Sequence, residues 1–334
     1  MCADPDSLYL AVGSRCWRLA AYTGQLVQSY PVQAGPNYEW GFVACVSNRV
    51  FGSSIKRGSV YTLYDGPPYW YDSTGISDTA KICSDNLFCF AKAGGAPLWT
   101  YTNGVIVNST LALGGGRLYF VDSRNPALAG FATSRITSSG LWSSNNLVAL
   151  DAATGSILWQ KPVTITSGPY PIVLFLSYAD GKLVLNNSTT QFALTCFSAT
   201  NGAPLWTKSH AWSRDNHGGP MYHTVIAGTN VIVEPFVYDL NSGTVLKSGL
   251  TQRGGCSTIG AAEYTAHYCV SYYGASVFFW DLATSQSQNR QVLGMRASCW
   301  LSLISGGGMV MMPAASAGCT CGFPLQSSIA FAAP

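Results

Sequence analysis

One phrase recurs along this chain at intervals of roughly one small sheet, and no other feature limits the fold so sharply. It is plainest in NNLVALDAATGSILWQ, from Asn145 to Gln160: an alternating apolar strand, a polar turn and a second strand. Variants are CWRLAAYTGQLVQSY from Cys16, NLFCFAKAGGAPLWTY from Asn86, FALTCFSATNGAPLWTK from Phe192, FVYDLNSGTVLKS from Phe236 and VFFWDLATSQ from Val277. The turns hold Gly24, Gly95, Gly155, Gly202 and Gly243 at one equivalent place, with Ser285 in the sixth copy. A residue closing such a hairpin needs positive φ, which glycine adopts without steric cost. Four positions earlier, Asp151, Asp239 and Asp281 can accept hydrogen bonds from turn amides.

A second strand pair stands upstream of each phrase. Examples are STLALGGGRLYFV, VLFLSYADGKLVLN, HTVIAGTNVIVEP and LSLISGGGMVMMP, and less regularly FVACVSNRVFGSS and STIGAAEYTAHYCVS. SLYLAV, near the start, is the second strand of one more. The repeating unit therefore has four strands, A to D, joined as two hairpins. Seven A/B pairs begin near residues 1, 40, 107, 171, 222, 256 and 299. Four-stranded units of about 40 to 50 residues predict the blades of an all-β propeller. It is read as one domain over residues 1–334 with seven recognisable blades, the last incomplete. Strands such as VLFLS are apolar on both sides, as required when each blade is covered by a neighbour on either face.

The phrase ALDAATGSILW resembles the repeat of the PQQ-like (quinoprotein-type) β-propellers, which include alcohol dehydrogenases and the lipoprotein of the outer-membrane assembly machine. The likeness covers nearly the whole chain and implies a fold, not one activity. DNHGGPMYHTVI and CWLSLISGGGMVMMPAASAGCTC are similar to a bacterial group of such propellers. Quinone-dependent members, the resemblance implies, use adjacent cysteines, a calcium site and a catalytic Asp on about eight full units. This sequence has no Cys-Cys pair, and Glu39, Asp122 and Asp215 are scattered singly, so PQQ is not expected.

The last unit runs through A (Trp300 to Ser305), B (Met309 to Pro313) and C (Ile329 to Ala332) without a D strand before Pro334, and the first starts at or inside its strand A. Three arrangements fit. Residues upstream of this chain would complete the ring, an eighth blade among them; the last blade would have three strands; or a neighbouring molecule would add the missing strand, building a homo-oligomer or filament.

Composition narrows the setting. Hydrophobic residues make up 48%, enough for a sizeable core, while charged residues are only 10%, against roughly 25% in average soluble proteins. A net charge of +3 gives no basic field and argues against nucleic acid as a partner. No apolar run reaches the roughly 18 residues of a membrane-crossing helix. The opening MCADPDSLYLAV has acidic residues where a secretory leader carries basic ones. Yet eleven cysteines, with glycosylation sequons at Asn108, Asn186 and Asn187, suit an oxidising compartment. The expected location is therefore extracellular, at the cell surface or periplasmic. A cytosolic protein that uses Cys as a small core residue is the other reading. An odd cysteine count leaves at least one thiol free or bonded outside the chain.

In a four-stranded blade the D-to-A and B-to-C connections share one face, and the unusual residues gather there. The connection IKRGSVYTLYDGPPYWYDSTGISDTAKI expands unit two, SRNPALAGFATSRITSSGLWSS expands unit three, and SHAWSRDNHGGPMYH leads from unit four to unit five. Long loops on a rigid scaffold are where binding concentrates. On this face His217, His223, Cys256, Cys299, Cys319 and Cys321 form a candidate Zn or Cu site around the channel mouth. The competing assignment is structural: a disulfide from Cys299 to Cys319 or Cys321, and a turn packed by His217. Tyr69, Trp70 and Tyr71 form an aromatic cluster suited to a sugar ring or a protein partner, or to pinning their own loop. Asn186 and Asn187, at the end of strand B of unit four, would carry a glycan if that loop is open; Asn108 sits near the channel. Trp99, Trp159 and Trp206 recur at one repeat position and are expected in the core, as are Cys89 and Cys196.

No G-x-S-x-G elbow and no H-E-x-x-H occurs, and the pair Asp215 and His217 fits a loop hydrogen bond better than a dyad. The expected function is a non-catalytic extracellular or envelope scaffold, binding protein or carbohydrate through its loop-rich face. The alternative is a metal- or cofactor-dependent redox enzyme built on the His/Cys loops.

Overall fold

A computed structural model describes residues 1–59, 81–166, 173–189, 191–211 and 224–250, then the strand segments 259–261, 264–271, 274–281, 287–292, 304–306, 309–312 and 329–332. Its strands form seven antiparallel sheets that follow one another along the chain. The first consists of β1 (Cys2–Asp4), β2 (Ser7–Val12), β3 (Arg15–Ala20) and β4 (Leu26–Pro31), hydrogen-bonded in that order. The second begins with β5 (Tyr38–Val46) and β6 (Arg49–Lys56); the chain then makes β7 (Lys81–Ser84) and returns as β8 (Asn86–Ala91) and β9 (Pro97–Tyr101). The third contains β10 (Val105–Val107), β11 (Ala112–Gly114), β12 (Arg117–Ser123), β13 (Arg135–Ile136), β14 (Asn145–Asp151) and β15 (Ile157–Pro162), together with β7.

The later sheets are simpler. The fourth is β16 (Val173–Ala179), β17 (Lys182–Ser188), β18 (Phe192–Ser198) and β19 (Pro204–His210). The fifth is β20 (Val225–Ala227), β21 (Asn230–Val233), β22 (Phe236–Asp239) and β23 (Val245–Lys247). The sixth is β24 (Ile259–Ala261), β25 (Tyr264–Ser271), β26 (Gly274–Asp281) and β27 (Ser287–Val292). The last is β28 (Ile304–Gly306), β29 (Met309–Met312) and β30 (Ile329–Ala332), three strands among the described residues.

The recurring hairpin follows its local chemistry. The five turn glycines have φ between +66° and +74°. Asp151 Oδ1 accepts from the amides of Ala153 and Thr154, both at 2.9 Å, and Asp239 Oδ1 from those of Asn241 and Ser242 at 3.0 and 2.8 Å. Each of these five hairpins also carries a register shift at one equivalent point, for example between Ala149 and Leu150. The extra residue twists strand D, a detail the alternating pattern does not show.

Burial is two-sided, because the cores lie between sheets. On β12, Leu118 and Phe120 pack with Leu87, Tyr101 and Ile106 toward the second sheet. Tyr119 and Val121, with opposite parity, pack with Leu174, Leu183 and Phe197 of the fourth. The same logic places Tyr9, Tyr30, Trp40 and Phe88 between sheets one and two, and Val184, Leu194, Val231 and Tyr238 between four and five. Cys89 and Cys196 are fully buried, as their repeat position implies.

The repeated tryptophans pack against the cores from their margin instead of lying inside them, which corrects the sequence expectation in part. Trp99, Trp159 and Trp206 are half-buried on the outermost strands of sheets two, three and four. Each indole reaches sideways over the turn of the following sheet. Trp99 Nε1 donates to Ala152 O at 3.2 Å, Trp159 to Ala199 O at 3.1 Å and Trp206 to Leu240 O at 2.9 Å. The ring lies where a Cβ on Gly155, Gly202 or Gly243 would stand. Gln28 occupies the tryptophan position in sheet one, and there Tyr30 OH donates to Lys92 O at 2.8 Å in place of an indole. A strap thus joins each sheet to the next, from the first through the fifth.

Candidate interaction face

The two insertions meet instead of standing as separate loops. β7, from the connection between β6 and β8, leaves its own sheet and pairs with β10 of the third, Ile106 facing Ser84 and Val107 facing Cys83. β13, from the connection between β12 and β14, pairs with β7 in turn, Arg135 facing Ile82 and Ile136 facing Lys81. The third sheet is therefore widened at its inner edge by strands from both insertions. Leu128, Ile136 and Leu141 anchor the second insertion in the core between sheets three and four.

A buried polar seam fastens this extension. The Lys56 amide donates to Ser134 Oγ at 2.9 Å, the Ser134 amide to Ser59 Oγ at 2.8 Å, and the Cys83 amide to Ser134 O at 2.8 Å. Ser84 Oγ lies 2.8 Å from Ser53 Oγ and donates to Asn108 Oδ1. Nearer solvent, Lys56 Nζ stands 3.0 Å from Asp85, which also accepts from Tyr38 OH at 2.7 Å; Arg57 pairs with Glu39 at 3.6 Å. The hydrogen bond to Asp85, helped by burial, raises the Tyr38 pKa.

Beside the seam lies an ionic cluster whose members no sequence spacing brings together. Asp122, fully buried at the end of β12, accepts from Arg124 Nε and Nη2 at 3.2 and 3.1 Å. Tyr101 OH and Asn146 Nδ2 approach the same carboxylate at 3.5 Å. Burial raises the Asp122 pKa, against the Arg124 guanidinium, which lowers it. At the end of β19, His210 is held by Tyr238 OH at 2.9 Å from Nδ1 and by Glu234 O at 3.2 Å from Nε2, with its ring stacked on Phe192. Burial lowers its pKa, so the imidazole is neutral at pH 7.

The sequons at Asn186 and Asn187 are closed by the fold. Asn186 and Asn187 are buried on β17; Asn186 Oδ1 accepts from Ser188 Oγ, and Asn187 binds Thr166 through both its amide atoms. Asn108 lies in a 3₁₀ turn that interrupts the innermost strand between β10 and β11, its Nδ2 donating to Gly41 O at 3.4 Å. Asn186 and Asn187 lie within β17 itself, so a glycan on either would obstruct the docking of that strand. Tyr69, Trp70 and Tyr71, and the six candidate metal ligands His217, His223, Cys256, Cys299, Cys319 and Cys321, lie outside the described residues, as does Asp215. Cys2, Cys16, Cys45, Cys89 and Cys196 are free thiols. Among the described residues no three His, Cys, Asp or Glu side chains converge as metal ligands, and no helix is long and apolar enough to cross a membrane.

Consecutive antiparallel sheets, most of them four-stranded, the first five buried one against the next and strapped to the following turn, define a propeller-type repeat protein. The family described as "Outer membrane protein assembly factor BamB" matches residues 10–248, and this chain belongs to that family of PQQ-like repeats. A relative from Burkholderia pseudomallei (strain K96243), also described as outer membrane protein assembly factor BamB, is 27% identical over 257 residues, 72% of this chain and 62% of that protein. The chain thus spans about three fifths of that relative's length. Among solved structures, BamB from Moraxella catarrhalis is 14% identical, with a TM-score of 0.41 over 81% of this chain and 70% of that one. The structure of U3-55K is 11% identical, with a TM-score of 0.51 over 92% of this chain and 84% of that one, a likeness of fold alone.

Proposed function

We propose that the protein is a non-catalytic scaffold of the bacterial envelope that binds polypeptide through its insertion-built face, in the service of outer membrane protein assembly. The observation that carries this reading is the union of the two insertions through β7 and β13 on a propeller-type frame of the BamB family. Three ion pairs lie on the face, Glu39 with Arg57, Asp85 with Lys56 and Asp122 with Arg124, and Arg135 Nε donates to Ser59 O at 3.2 Å. That pattern suits a surface held rigid for recognition better than one poised for proton transfer. The extracytoplasmic location read from the sequence agrees with an outer-membrane assembly family. In this reading the seven sheets are seven blades of a ring, and the outer edge of β30 is where a further strand, from this chain or a second copy, would pair.

Tyr69, Trp70 and Tyr71 belong to the connection between β6 and β7 and join the proposed binding surface. The test measures binding of the purified protein to a urea-unfolded outer-membrane β-barrel polypeptide after dilution, by fluorescence anisotropy. The double variant Arg57→Glu, Trp70→Ala should bind at least tenfold more weakly. Tyr22→Glu, in the exposed β3–β4 turn at the opposite ends of the strands, should bind as the parent does. Equal affinity of all three proteins, or no binding by the parent, would overturn the assignment.

A further inference from the structure

Three thiols line the interface between the first two sheets. Cys2 faces Tyr9 across β1 and β2, and Cys16 faces Ala11 across β2 and β3, so both lie on the side that meets sheet two. Cys45, near the end of β5, packs against the same cluster of Tyr9, Tyr30 and Trp40. β1 and β5, the first strands of their sheets, are neighbours. The Cys2 thiol lies close enough to Cys45 for that residue's thiol and backbone amide both to act on its ionisation. Cys45 Sγ stands 3.4 Å from Asp4 Oδ2, on the same short strand as Cys2. With β1 and β5 side by side and both side chains against one cluster, the pair is placed to reach the roughly 4.4–6.8 Å Cα separation that a disulfide spans. Cys2 and Cys16 sit instead two strands apart in one sheet, about 10 Å, which is too far.

We propose that Cys2 and Cys45 form a disulfide when the chain folds under oxidising conditions, tying together the innermost strands of the first two sheets. With a glutathione disulfide as oxidant, one cysteine thiolate attacks its S–S bond and releases a first glutathione thiol. The second cysteine thiolate then attacks the mixed disulfide and releases another. Both protein thiols lose their protons, and the two electrons leave in the two glutathione molecules. Burial pushes the Cys2 thiol up to about 11 and the Cys16 thiol up to about 12, and raises Cys45 as well. Once β5 has closed on β1 little thiolate remains, so the exchange belongs to folding, before the sheets dock. The proposal deepens the extracytoplasmic reading above, but its test uses purified protein and does not depend on that location.

The protein is unfolded under reducing conditions, refolded in a glutathione redox buffer, alkylated and digested without reduction for mass mapping. The expected species joins the Cys2 peptide to the Cys45 peptide and is lighter by two hydrogens than the reduced pair. Cys45→Ser should abolish it and Cys16→Ser should retain it. Reduction should lower Tm by roughly 5 °C. Recovery of Cys2 fully alkylated, or joined to any other cysteine, would overturn the proposal. Should Cys45→Ser fail to fold, the map of the parent chain decides alone.

Discussion

Replacing Arg124 by Met is expected to destabilise the protein by about 3 kcal/mol at neutral pH, with the loss shrinking in acid. The guanidinium is the ionic partner of Asp122, a carboxylate with no solvent exposure at all. Without it the carboxylate keeps only the longer contacts to Tyr101 and Asn146 at 3.5 Å. Burial already raises the Asp122 pKa, and loss of the guanidinium raises it further. A carboxyl whose folded pKa exceeds its unfolded value stabilises the fold most below the unfolded pKa, about 3.9. That contribution is lost as pH rises through the folded pKa. The gap between parent and variant should therefore be wider at pH 7 than near pH 4, close to the unfolded pKa of about 3.9. Urea unfolding followed by tryptophan fluorescence at both pH values measures it. Adding Asp122→Asn to the variant should recover most of the loss at pH 7, since an amide needs no counter-charge. A gap that did not change with pH, or that the double variant failed to narrow, would remove Asp122 from this role.

That cluster also shows where sequence reading stops. Asp122 and Arg124 are two positions apart in a strand ending, a spacing with no meaning until β12, β14 and β9 bring Asn146 and Tyr101 beside them. The hairpins were legible because their determinants are local: glycine for positive φ, Asp151 or Asp239 for the turn amides, alternation for the strands. The seven sheets fall where the phrase and its upstream partner predict them. β7 and β13 were not legible, because KICS and RI are too short to carry a period and their partners lie in the other insertion or in the next sheet. The tryptophans were legible as a repeat and read too far into the core. Alternation tells which side of a sheet a residue leaves, but not that the ring then crosses to a neighbouring turn. The missing clue was the pairing of two columns, tryptophan in one copy and glycine in the next.

That pairing gives a prediction in which two glycines with nearly the same backbone behave differently. Gly181, in the β16–β17 turn, has φ +70° and no atom within 4 Å of where a Cβ would stand. Gly202, in the β18–β19 turn, has φ +72°, and a Cβ there would meet Trp159 at 2.7 Å and Lys161 at 2.9 Å. Gly181→Ala should therefore cost about 1 kcal/mol, the backbone strain alone. Gly202→Ala should cost about 3 kcal/mol, the same strain plus a displaced indole. The lysine can swing away, but the indole is held by its hydrogen bond to Ala199 O and by Tyr119, whose ring centre is 6.1 Å distant. Removing that ring relieves the conflict. In a Trp159→Ala background, Gly202→Ala should fall back to about 1 kcal/mol, so the two changes are strongly non-additive. Chemical denaturation of the single and double variants supplies the cycle. Equal costs at Gly181 and Gly202, or additivity of Trp159→Ala with Gly202→Ala, would mean that the repeated glycine serves only its own hairpin and that the sheets are held together by their buried faces without the straps.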